Sequence, residues 1–370
     1  MSVRDLADYP WDAVVPFRER AAQHPGGLVD LSIGSPIDPT PEVVRRALAE
    51  ATDAHAYPQT VGTPALREAI VDWYGRRRGV PDLTVDNVLP TIGSKELVAL
   101  LPTLLGLGEG DVVVHPRVAY PTYEVGARVV GATPLAADAP ADWPEGTKLI
   151  WINSPGNPDG RTWTVEELAA AVRRARELGA VLASDECYAE LGWDGRWATE
   201  PVASVLDPRA TGGSRANLLS VYSLSKQSNL AGYRAAFVAG CATLVGELLA
   251  ARKHLGLMPP APVQHAMAAA LGDDEHVAVQ KQLYRARRDV LRPAVEAAGF
   301  RIDGSEAGLY LWATEGADAW ESIARLADLG ILAGPGPFYG DHSKEHIRLS
   351  LTAPSERIDE AARRLRASAL

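Results

Sequence analysis

The sequence predicts an α/β fold whose larger domain holds a mostly parallel sheet and whose smaller domain is α+β. From about residue 40 to residue 240, short apolar runs alternate with segments of helical periodicity, as in a parallel sheet with crossover helices. After about residue 258 the pattern changes, because MPPAPVQ interrupts the chain and a long helical stretch follows at roughly 275–298. The length of 370 residues also fits two domains of ~150 residues each. We therefore expect a large domain at 41–258 and a small domain at 259–370.

Helix starts are predicted where a capping residue precedes an apolar stripe. A threonine followed by a proline occurs twice, and a threonine with a glutamate three residues later makes a capping box. A leucine-rich stripe of helical spacing follows a Gly-Ser pair and ends at Gly106. In chain order, the starts are Thr40-Pro41, Thr63-Pro64, Gly93-Ser94 and Thr164 with Glu167.

Five apolar runs, each bounded by polar residues or glycine, predict the buried strands of the large domain. They are DVVVHP (111–116), KLIWINSPGNP (148–158), AVLASDECY (180–188), LLSVYSLSK (218–226) and AAFVAG (235–240). Ligands of such sheets bind beyond the carboxyl ends of the strands, so the polar residues there are the first candidates for chemistry.

The small domain is predicted to hold the strands GLYLWA (308–313) and HIRLSL (346–351), followed by an amphipathic helix that starts near Ser355. The first 40 residues carry several prolines and no long periodic segment. We therefore expect this N-terminal segment, 1–40, to pack against the small domain.

Composition and charge exclude several classes of protein. With 37 basic and 47 acidic residues the net charge is −10, and no basic block stands out, so nucleic acid is not an expected partner. No apolar run approaches the ~20 residues needed to cross a bilayer, and the N-terminus lacks a signal-peptide pattern. Two cysteines, Cys187 and Cys241, cannot form a disulfide framework. We therefore expect a cytoplasmic protein.

Several catalytic motifs are absent from the sequence. It contains no P-loop, no G-x-G-x-x-G after a strand, no H-E-x-x-H and no G-x-S-x-G. Its eight histidines do not cluster with carboxylates or cysteines at metal-ligand spacing, so no metal is expected.

Five polar residues at the ends of elements are candidates for chemistry, and each has a plainer alternative. Lys226 ends an apolar strand, where partial desolvation favours the neutral amine that forms Schiff bases; a solvated lysine is the alternative. Asp185 ends another strand, and its alternative is a helix cap or a loop carboxylate. Asn157 lies in a loop rich in proline and glycine, where asparagine is also a common turn residue. Ser94 opens a helix, either as an N-cap or beside a phosphate. Arg348 lies opposite the apolar face of its strand, and a solvent-facing arginine is the alternative there.

The order and spacing of these residues resemble the fold-type-I pyridoxal-phosphate enzymes, the aspartate aminotransferase superfamily of class I and II. The motifs that carry the resemblance are SLSKQSNLAGYR (223–234), NSPGNPDG (153–160) and SDECY (184–188), and it extends over nearly the whole chain. It implies a seven-stranded sheet between helices in the large domain, pyridoxal 5'-phosphate as cofactor, and small amino and 2-oxo acids as substrates.

The resemblance implies three catalytic residues. Lys226 would hold the cofactor in a Schiff base and, once released, carry the proton between the substrate Cα and the cofactor. Asp185 would keep the pyridine nitrogen protonated, so that the ring accepts electrons. Tyr188, together with Asn157, would hydrogen-bond the phenolic oxygen of the ring.

The same resemblance implies how the cofactor and the substrate are held. Tyr57 would reach the phosphate of the neighbouring subunit, which implies an obligate homodimer with shared sites. Arg348 would clamp the substrate α-carboxylate, with Gly34 and Asn157 also contacting the substrate. The remaining cofactor contacts would come from Ser94, Lys95, Ser223 and Arg234 at the phosphate and from Tyr120 stacked on the ring.

The sequence departs from the family pattern at two positions of the site. Asp159 stands where the family often has threonine, and we expect this to change only the loop. Cys187 lies two residues after Asp185, and we expect it to be a small side chain at the strand end rather than a redox group.

Two segments point to one branch of the superfamily. The N-terminal DYPWDAVVPFRERAAQHPGGLVDLSIGSPIDPTP and the linker ARKHLGLMPPAPVQ are similar to those of actinobacterial N-succinyldiaminopimelate aminotransferases. That similarity implies ping-pong transfer between glutamate and N-succinyl-2-amino-6-oxopimelate in lysine and diaminopimelate biosynthesis. The distal carboxylate would need a further cation, for which Arg252, Lys253 and His254 are candidates unless they only form a basic helix end.

Other functions within the superfamily stay open. Another class I or II aminotransferase, with an aromatic, alanine-type or aspartate-type substrate, would use the same residues. A carbon–sulfur lyase would do so as well, and a non-catalytic relative is the remaining alternative.

Overall fold

Helices and strands alternate through most of residues 10–368, the part of the chain that the computed structural model describes. The α-helices are α1 (Val15–Ala22), α2 (Glu42–Glu50), α3 (Pro64–Arg78), α4 (Ser94–Leu104), α5 (Thr122–Val129), α6 (Val165–Leu178), α7 (Pro208–Thr211), α8 (Leu224–Gln227), α9 (Ala242–Leu255), α10 (Ala261–Leu271), α11 (Glu275–Ala297), α12 (Ala319–Asp328) and α13 (Ser355–Ser368). The β-strands are β1 (Val29–Asp30), β2 (Val88–Ile92), β3 (Val112–His115), β4 (Thr133–Ala136), β5 (Thr147–Asn153), β6 (Val181–Asp185), β7 (Leu218–Ser223), β8 (Ala235–Gly240), β9 (Arg301–Ile302), β10 (Tyr310–Thr314), β11 (Ile331–Leu332), β12 (Gly334–Pro335) and β13 (His346–Ser350). No helix in this described range has the length and apolar character to cross a membrane.

Seven strands form the central sheet, in the order β2-β8-β7-β6-β5-β3-β4. Strand β8 alone runs against its neighbours, because it pairs antiparallel with β2 and β7 while the other pairs are parallel. The prediction of a mostly parallel, seven-stranded sheet is therefore confirmed. Its adjacent strands β5, β6 and β7 end at Asn153, Asp185 and Ser223, so polar groups meet at one edge of the sheet.

Apolar side chains cover both faces of this sheet. Along β5, Leu149 and Trp151 pack into the cluster with α4, α5 and α9, whereas Ile150 and Ile152 pack into the cluster with α3, α6 and α10. All four side chains are buried. Burial on both faces explains why the strands are continuous apolar runs in the sequence rather than alternating ones.

The C-terminal part of the chain forms a four-stranded antiparallel sheet in the order β12-β13-β10-β9, which packs with α11, α12 and α13. Strand β1 of the N-terminal segment pairs in parallel with β11, so that Val29 lies opposite Ile331. Residues 1–9 of that segment lie outside the described residues. The domain boundaries at 41–258 and 259–370 stay a prediction.

Two of the predicted helix caps are confirmed. The Thr63 side chain accepts a hydrogen bond from the Leu66 amide at 3.3 Å at the start of α3. The capping box of α6 closes in both directions between Thr164 and Glu167. Both caps satisfy amides that the first turn of a helix leaves without an internal partner.

The predicted start at Thr40-Pro41 is wrong by a short step. Helix α2 begins at Glu42, because Pro41 has an extended ψ of 145° and occupies the N-cap position. The Thr40 hydroxyl instead donates to the Asn229 carbonyl oxygen at 3.5 Å. Thr40 therefore joins the N-terminal segment to the loop after α8.

Two strands of the central sheet have no counterpart among the predicted apolar runs. Strand β2 contains Pro90 and strand β4 contains Pro134, and both lie at the edges of the sheet. Proline cannot donate to the hydrogen-bond ladder, so in sheets it is confined largely to edge strands and is a poor signal for a strand.

Candidate active site

Lys226 lies in the short helix α8, directly after strand β7. Its Nζ donates a hydrogen bond to the carbonyl oxygen of Gly34 in the N-terminal segment. Burial is the main cause that lowers the pKa of Lys226, with Arg348 adding to it and Tyr310 opposing it. The lysine therefore points into the protein rather than into solvent. A lowered pKa favours the neutral amine, which is the nucleophilic form.

Asp185 ends strand β6 and is 6% exposed. Its Oδ2 accepts a hydrogen bond from the Tyr123 hydroxyl at 2.9 Å, and its Oδ1 accepts one from the Cys187 amide at 3.2 Å. Burial raises the pKa of Asp185 more than these hydrogen bonds lower it. A cation bound beside the carboxylate would offset this cost and favour the ionised form.

Tyr123 is a site residue that sequence reasoning missed. It lies in α5, its ring stacks on Trp151 with centroids 5.1 Å apart, and it is fully buried. The signal was present in the motif AYPTY, three residues after Tyr120. Spacing could not connect it to Asp185, because the two residues are 62 positions apart in the chain.

The start of α4 is a candidate phosphate site. Gly93 occupies the N-cap with φ of 74°, and no side chain caps the helix. Arg234 ends a 3-10 helix, and its guanidinium lies so close to Gly93 that a Cβ at that position would overlap it. Ser94 and Lys95 form the first turn. Free amides at a helix start beside a guanidinium suit a phosphate group.

The other predicted cofactor contacts lie around this helix start. The Lys95 Nζ is 5.9 Å from the centroid of the Tyr120 ring, and that ring meets Tyr123 edge-on at 5.9 Å. Ser223 caps α8, and its hydroxyl donates to the Ser225 hydroxyl at 2.8 Å. Tyr120 therefore connects Lys95 of α4 to Tyr123, which bonds to Asp185, and Ser223 ends the strand next to the one that Asp185 ends. Their roles toward a cofactor stay predictions.

Arg348 is buried, which excludes the alternative of a solvent-facing arginine. Its Nη1 donates to the Asn157 Oδ1 at 2.9 Å, and its Nη2 donates to the Ser32 carbonyl oxygen at 2.7 Å. Its Nε has no hydrogen-bond partner among the described residues. Such a guanidinium, with an unsatisfied N–H in a buried place, suits a carboxylate ligand.

Two tyrosines complete the surroundings of Lys226. The Tyr188 and Tyr310 hydroxyls are 3.2 Å apart, and both rings are buried. The Tyr310 hydroxyl occupies the space that a Cβ on Gly34 would need, so only glycine fits at that position. Tyr310 is a second residue that sequence reasoning missed, because GLYLWA marks it only as part of a buried strand.

Tyr57 does not join the other predicted site residues within one chain. Its side chain is 98% exposed, on the turn between α2 and α3. This position is compatible with a contact to a neighbouring subunit, which stays a prediction.

The suggestion that Arg252 binds a distal carboxylate is wrong. Arg252 is fully buried, and its guanidinium makes two hydrogen bonds to the Glu96 carboxylate at 2.7 and 3.1 Å. Glu96 also accepts from the Ile92 amide at 3.3 Å. Lys253 and His254 lie exposed in the last turn of α9. Arg252 therefore joins α9 to the start of α4.

The two departures from the family pattern have local effects. The Asp159 Oδ1 accepts from the Arg161 amide at 3.2 Å within the loop. Burial raises the pKa of the Cys187 thiol well above its usual range, which disfavours the reactive thiolate. Within residues 10–368, no three His, Cys, Asp or Glu side chains come together as a metal site.

Comparisons with known proteins agree on one family. The family model described as aminotransferase class I and II matches residues 27–365. The chain is 54% identical to the 4-dedimethylamino-4-oxo-anhydrotetracycline transaminase of Streptomyces rimosus, over 98% of this chain and 100% of that one. It is 51% identical to a probable aminotransferase of Mycobacterium tuberculosis, over 97% of this chain and 85% of that one. Among solved structures, a probable N-succinyldiaminopimelate aminotransferase of Thermus thermophilus matches with a TM-score of 0.86 and 30% identity, covering 97% and 100% of the two chains.

Proposed function

Because the chain belongs to the class I and II aminotransferases, whose members use pyridoxal phosphate, we propose that it transfers an amino group between glutamate and N-succinyl-2-amino-6-oxopimelate. Membership of this family supports transaminase activity and small amino and oxo acids as substrates. The succinylated acceptor, its place in lysine and diaminopimelate biosynthesis, the homodimer and a cytoplasmic location are our proposals.

The residues around α4 and β6 fit the cofactor. The uncapped start of α4, with Arg234 beside Gly93, offers N–H donors where a phosphate would lie. Asp185 is a buried carboxylate that makes no ion pair within residues 10–368, and such a carboxylate can bind a protonated pyridine nitrogen. Lys226 is a buried amine at the end of the neighbouring strand. Lys226, Asp185, Asn157 and Tyr188 would therefore face the ring.

The proposed mechanism assigns a separate task to each side chain. The bound cofactor supplies an electrophilic carbon and a ring that accepts the electron pair released when the substrate Cα–H bond breaks. Lys226, as a neutral amine, would take the substrate Cα proton and later deliver it to the cofactor carbon that bears the amino nitrogen. Asp185 holds the ring nitrogen in its protonated form. Arg348 fixes the substrate carboxylate, which sets the orientation of the Cα–H bond toward Lys226.

The buried Arg348 is the observation that most supports this function. Its guanidinium donates to the Asn157 side chain and to the Ser32 carbonyl oxygen, and its Nε–H has no partner in the described part of the chain. Lys226 bonds to Gly34, two residues after Ser32. A carboxylate on Arg348 would therefore bring the substrate Cα next to the lysine.

The succinylated acceptor is supported by the N-terminal and linker segments and by the likeness to the Thermus protein. A second candidate follows from the higher identity to the Streptomyces transaminase, whose name describes a 4-oxo group on an anhydrotetracycline. A ring-bearing ketone would then be the acceptor. Both candidates share the residues that bind the cofactor.

The first experiment is an absorbance spectrum of the purified enzyme before and after addition of glutamate without an acceptor. Conversion of the visible band to the spectrum of the amine form establishes glutamate as donor. The converted enzyme is then offered N-succinyl-2-amino-6-oxopimelate, pyruvate, oxaloacetate, phenylpyruvate and a tetracyclic ketone. We expect the succinylated acid to restore the visible band fastest. Faster restoration by another acceptor refutes the proposed substrate. A visible band that persists with glutamate, while pyruvate and ammonia appear from a sulfur-containing amino acid, indicates a lyase.

A further inference from the structure

Tyr310 occupies a central place in the site although no motif points to it. It is the first residue of β10 and is 5% exposed. Its hydroxyl lies 3.2 Å from the Tyr188 hydroxyl and against the Cα of Gly34, whose carbonyl accepts from Lys226. One phenol thus contacts Tyr188, a proposed ring-binding group, and Gly34, whose carbonyl oxygen bonds to the proposed proton-transfer group Lys226.

The ring of Tyr310 also supports the arginine. The Arg348 Cζ is 4.0 Å from the ring centroid, closer than the 5.0 Å to the Tyr339 ring. The strand register explains this contact: Tyr310 pairs with Ser350 on β13, so Arg348 is its diagonal neighbour on the same face. A guanidinium stacked on an aromatic face is held flat and keeps its N–H groups directed outward.

The electrostatics of the two tyrosines differ. Burial alone would raise the pKa of Tyr310, but the charges of Arg348 and Lys226 and the hydrogen bond with Tyr188 outweigh it and lower that pKa. Burial raises the pKa of Tyr188 well above its usual range. Either hydroxyl of this pair can be the donor; when Tyr310 donates to the Tyr188 oxygen, the Tyr188 proton is left for another acceptor.

We propose that Tyr310 is a positioning residue of this active site, whose ring orients Arg348 toward the substrate carboxylate and whose hydroxyl orients the Tyr188 hydroxyl toward the cofactor. The proposal rests on the proposed function. The two parts are separable, because phenylalanine keeps the ring and removes only the hydroxyl, whereas leucine removes both.

The hydroxyl is tested by the pH titration of the visible absorbance of the resting enzyme, which needs the cofactor and no turnover. A weaker hydrogen bond from Tyr188 to the phenolic oxygen raises the pKa of the lysine–cofactor linkage. Since one hydrogen bond contributes ~1 kcal/mol, Tyr310→Phe moves the midpoint upward by about half a pH unit to one pH unit. In the background of Tyr188→Phe the same change has no further effect, because Tyr310 acts through Tyr188.

The matched control is Tyr74→Phe, which removes another buried phenol hydroxyl. Tyr74 donates to the Ser220 hydroxyl at 2.8 Å in the core, outside the site. We expect it to leave the titration midpoint unchanged while costing comparable stability. A Tyr310→Phe midpoint equal to that of Tyr74→Phe, or an equal shift in the absence of Tyr188, overturns the hydroxyl part of the proposal.

The ring is tested by steady-state kinetics with glutamate. Tyr310→Phe should keep KM within about twofold, because the ring stays on Arg348, whereas Tyr310→Leu should raise KM about tenfold. An unchanged KM in Tyr310→Leu, or a tenfold rise already in Tyr310→Phe, overturns this part. If Tyr310→Leu does not fold, Tyr310→Met takes its place. Failure of the wild type to convert with glutamate would refute the proposed donor, while the pH titration would still decide the role of the hydroxyl.

Discussion

At the scale of single residues, the site depends on side chains whose charge state is set by burial. Lys226 has a lowered pKa and Asp185 a raised one, and in both cases desolvation is the main cause. Burial therefore shifts the protonation equilibrium of each group toward its neutral form. Two predictions follow from this balance, one for each residue.

Lys226→Ala should abolish the visible absorbance and lower turnover by at least about four orders of magnitude, since the proposed attachment point and proton carrier are both lost. Circular dichroism should show an intact fold, because the Lys226 Nζ makes a single hydrogen bond to the residues that the structure describes. Lys281→Ala is the matched control. Lys281 lies on α11, and burial lowers its pKa as well, but its Nζ lies over the Trp193 ring. Measurable transamination in Lys226→Ala would remove the lysine from its proposed role.

Asp185 makes the stability of the cofactor-free protein depend on pH. The pKa of Asp185 is raised in the folded state. Its contribution to the free energy of unfolding is therefore fully present below the unfolded-state pKa of about 4, and it is lost as pH rises through the folded-state pKa. In Asp185→Asn this decline should be absent, and turnover should fall at least about 100-fold because the ring nitrogen loses its anion. Urea unfolding of both cofactor-free proteins between pH 4 and pH 8 measures the difference. Parallel pH curves would contradict it.

At the scale of elements, an ion pair with helix α9 fixes the start of α4. Arg252 of α9 binds the Glu96 carboxylate twice, and Glu96 in turn accepts from the Ile92 amide just before the helix. The pair is deeply buried on the arginine side. It therefore holds the free amides of α4 in the place where the phosphate is proposed to bind.

Arg252→Leu should lower the free energy of unfolding by about 3 kcal/mol, because it leaves a partly buried carboxylate without its partner. It should also weaken cofactor binding, while the KM for the acceptor stays within about twofold. Lys253→Leu is the adjacent control and should change stability by less than about 0.5 kcal/mol, since Lys253 is exposed. Urea unfolding and cofactor titration test both variants. A large rise in the KM for the acceptor with unchanged stability would contradict this and indicate that Arg252 binds the substrate.

Elements also show where the sequence is informative. Buried strands β5, β6 and β7 were predictable from their apolar runs, and with them the positions of Asp185 and Lys226. Edge strands β2 and β4 were not, since a proline in each hides the strand pattern. Tyr123, Tyr310 and the partner of Arg252 were missed for one reason: their contacts join residues far apart in the chain, which periodicity within a window cannot show.

At the scale of the whole molecule, Tyr57 is the proposed contribution of one subunit to the site of another. Its exposure of 98% leaves it accessible to a neighbouring subunit. Mixed dimers of Tyr57→Ala and Lys226→Ala subunits should each contain one intact site, built from the lysine of the first and the tyrosine of the second.

We expect such mixed dimers to reach about half the wild-type turnover, well above either parent variant. Co-expression with two affinity tags isolates them for the assay. Turnover equal to half that of the Tyr57→Ala homodimer would show that each chain holds a complete site, and a monomeric wild type in sedimentation would exclude sharing altogether.

The Arg348 guanidinium bonds to Ser32, 316 residues away, and to Asn157, 191 residues away. Contacts between such distant residues form late during folding, because the chain loses more entropy when long loops close. After dilution from urea, the helical circular dichroism should therefore return first and glutamate turnover last. The interval between the two signals measures how long the refolding enzyme has its helices but cannot yet bind the substrate carboxylate through Arg348.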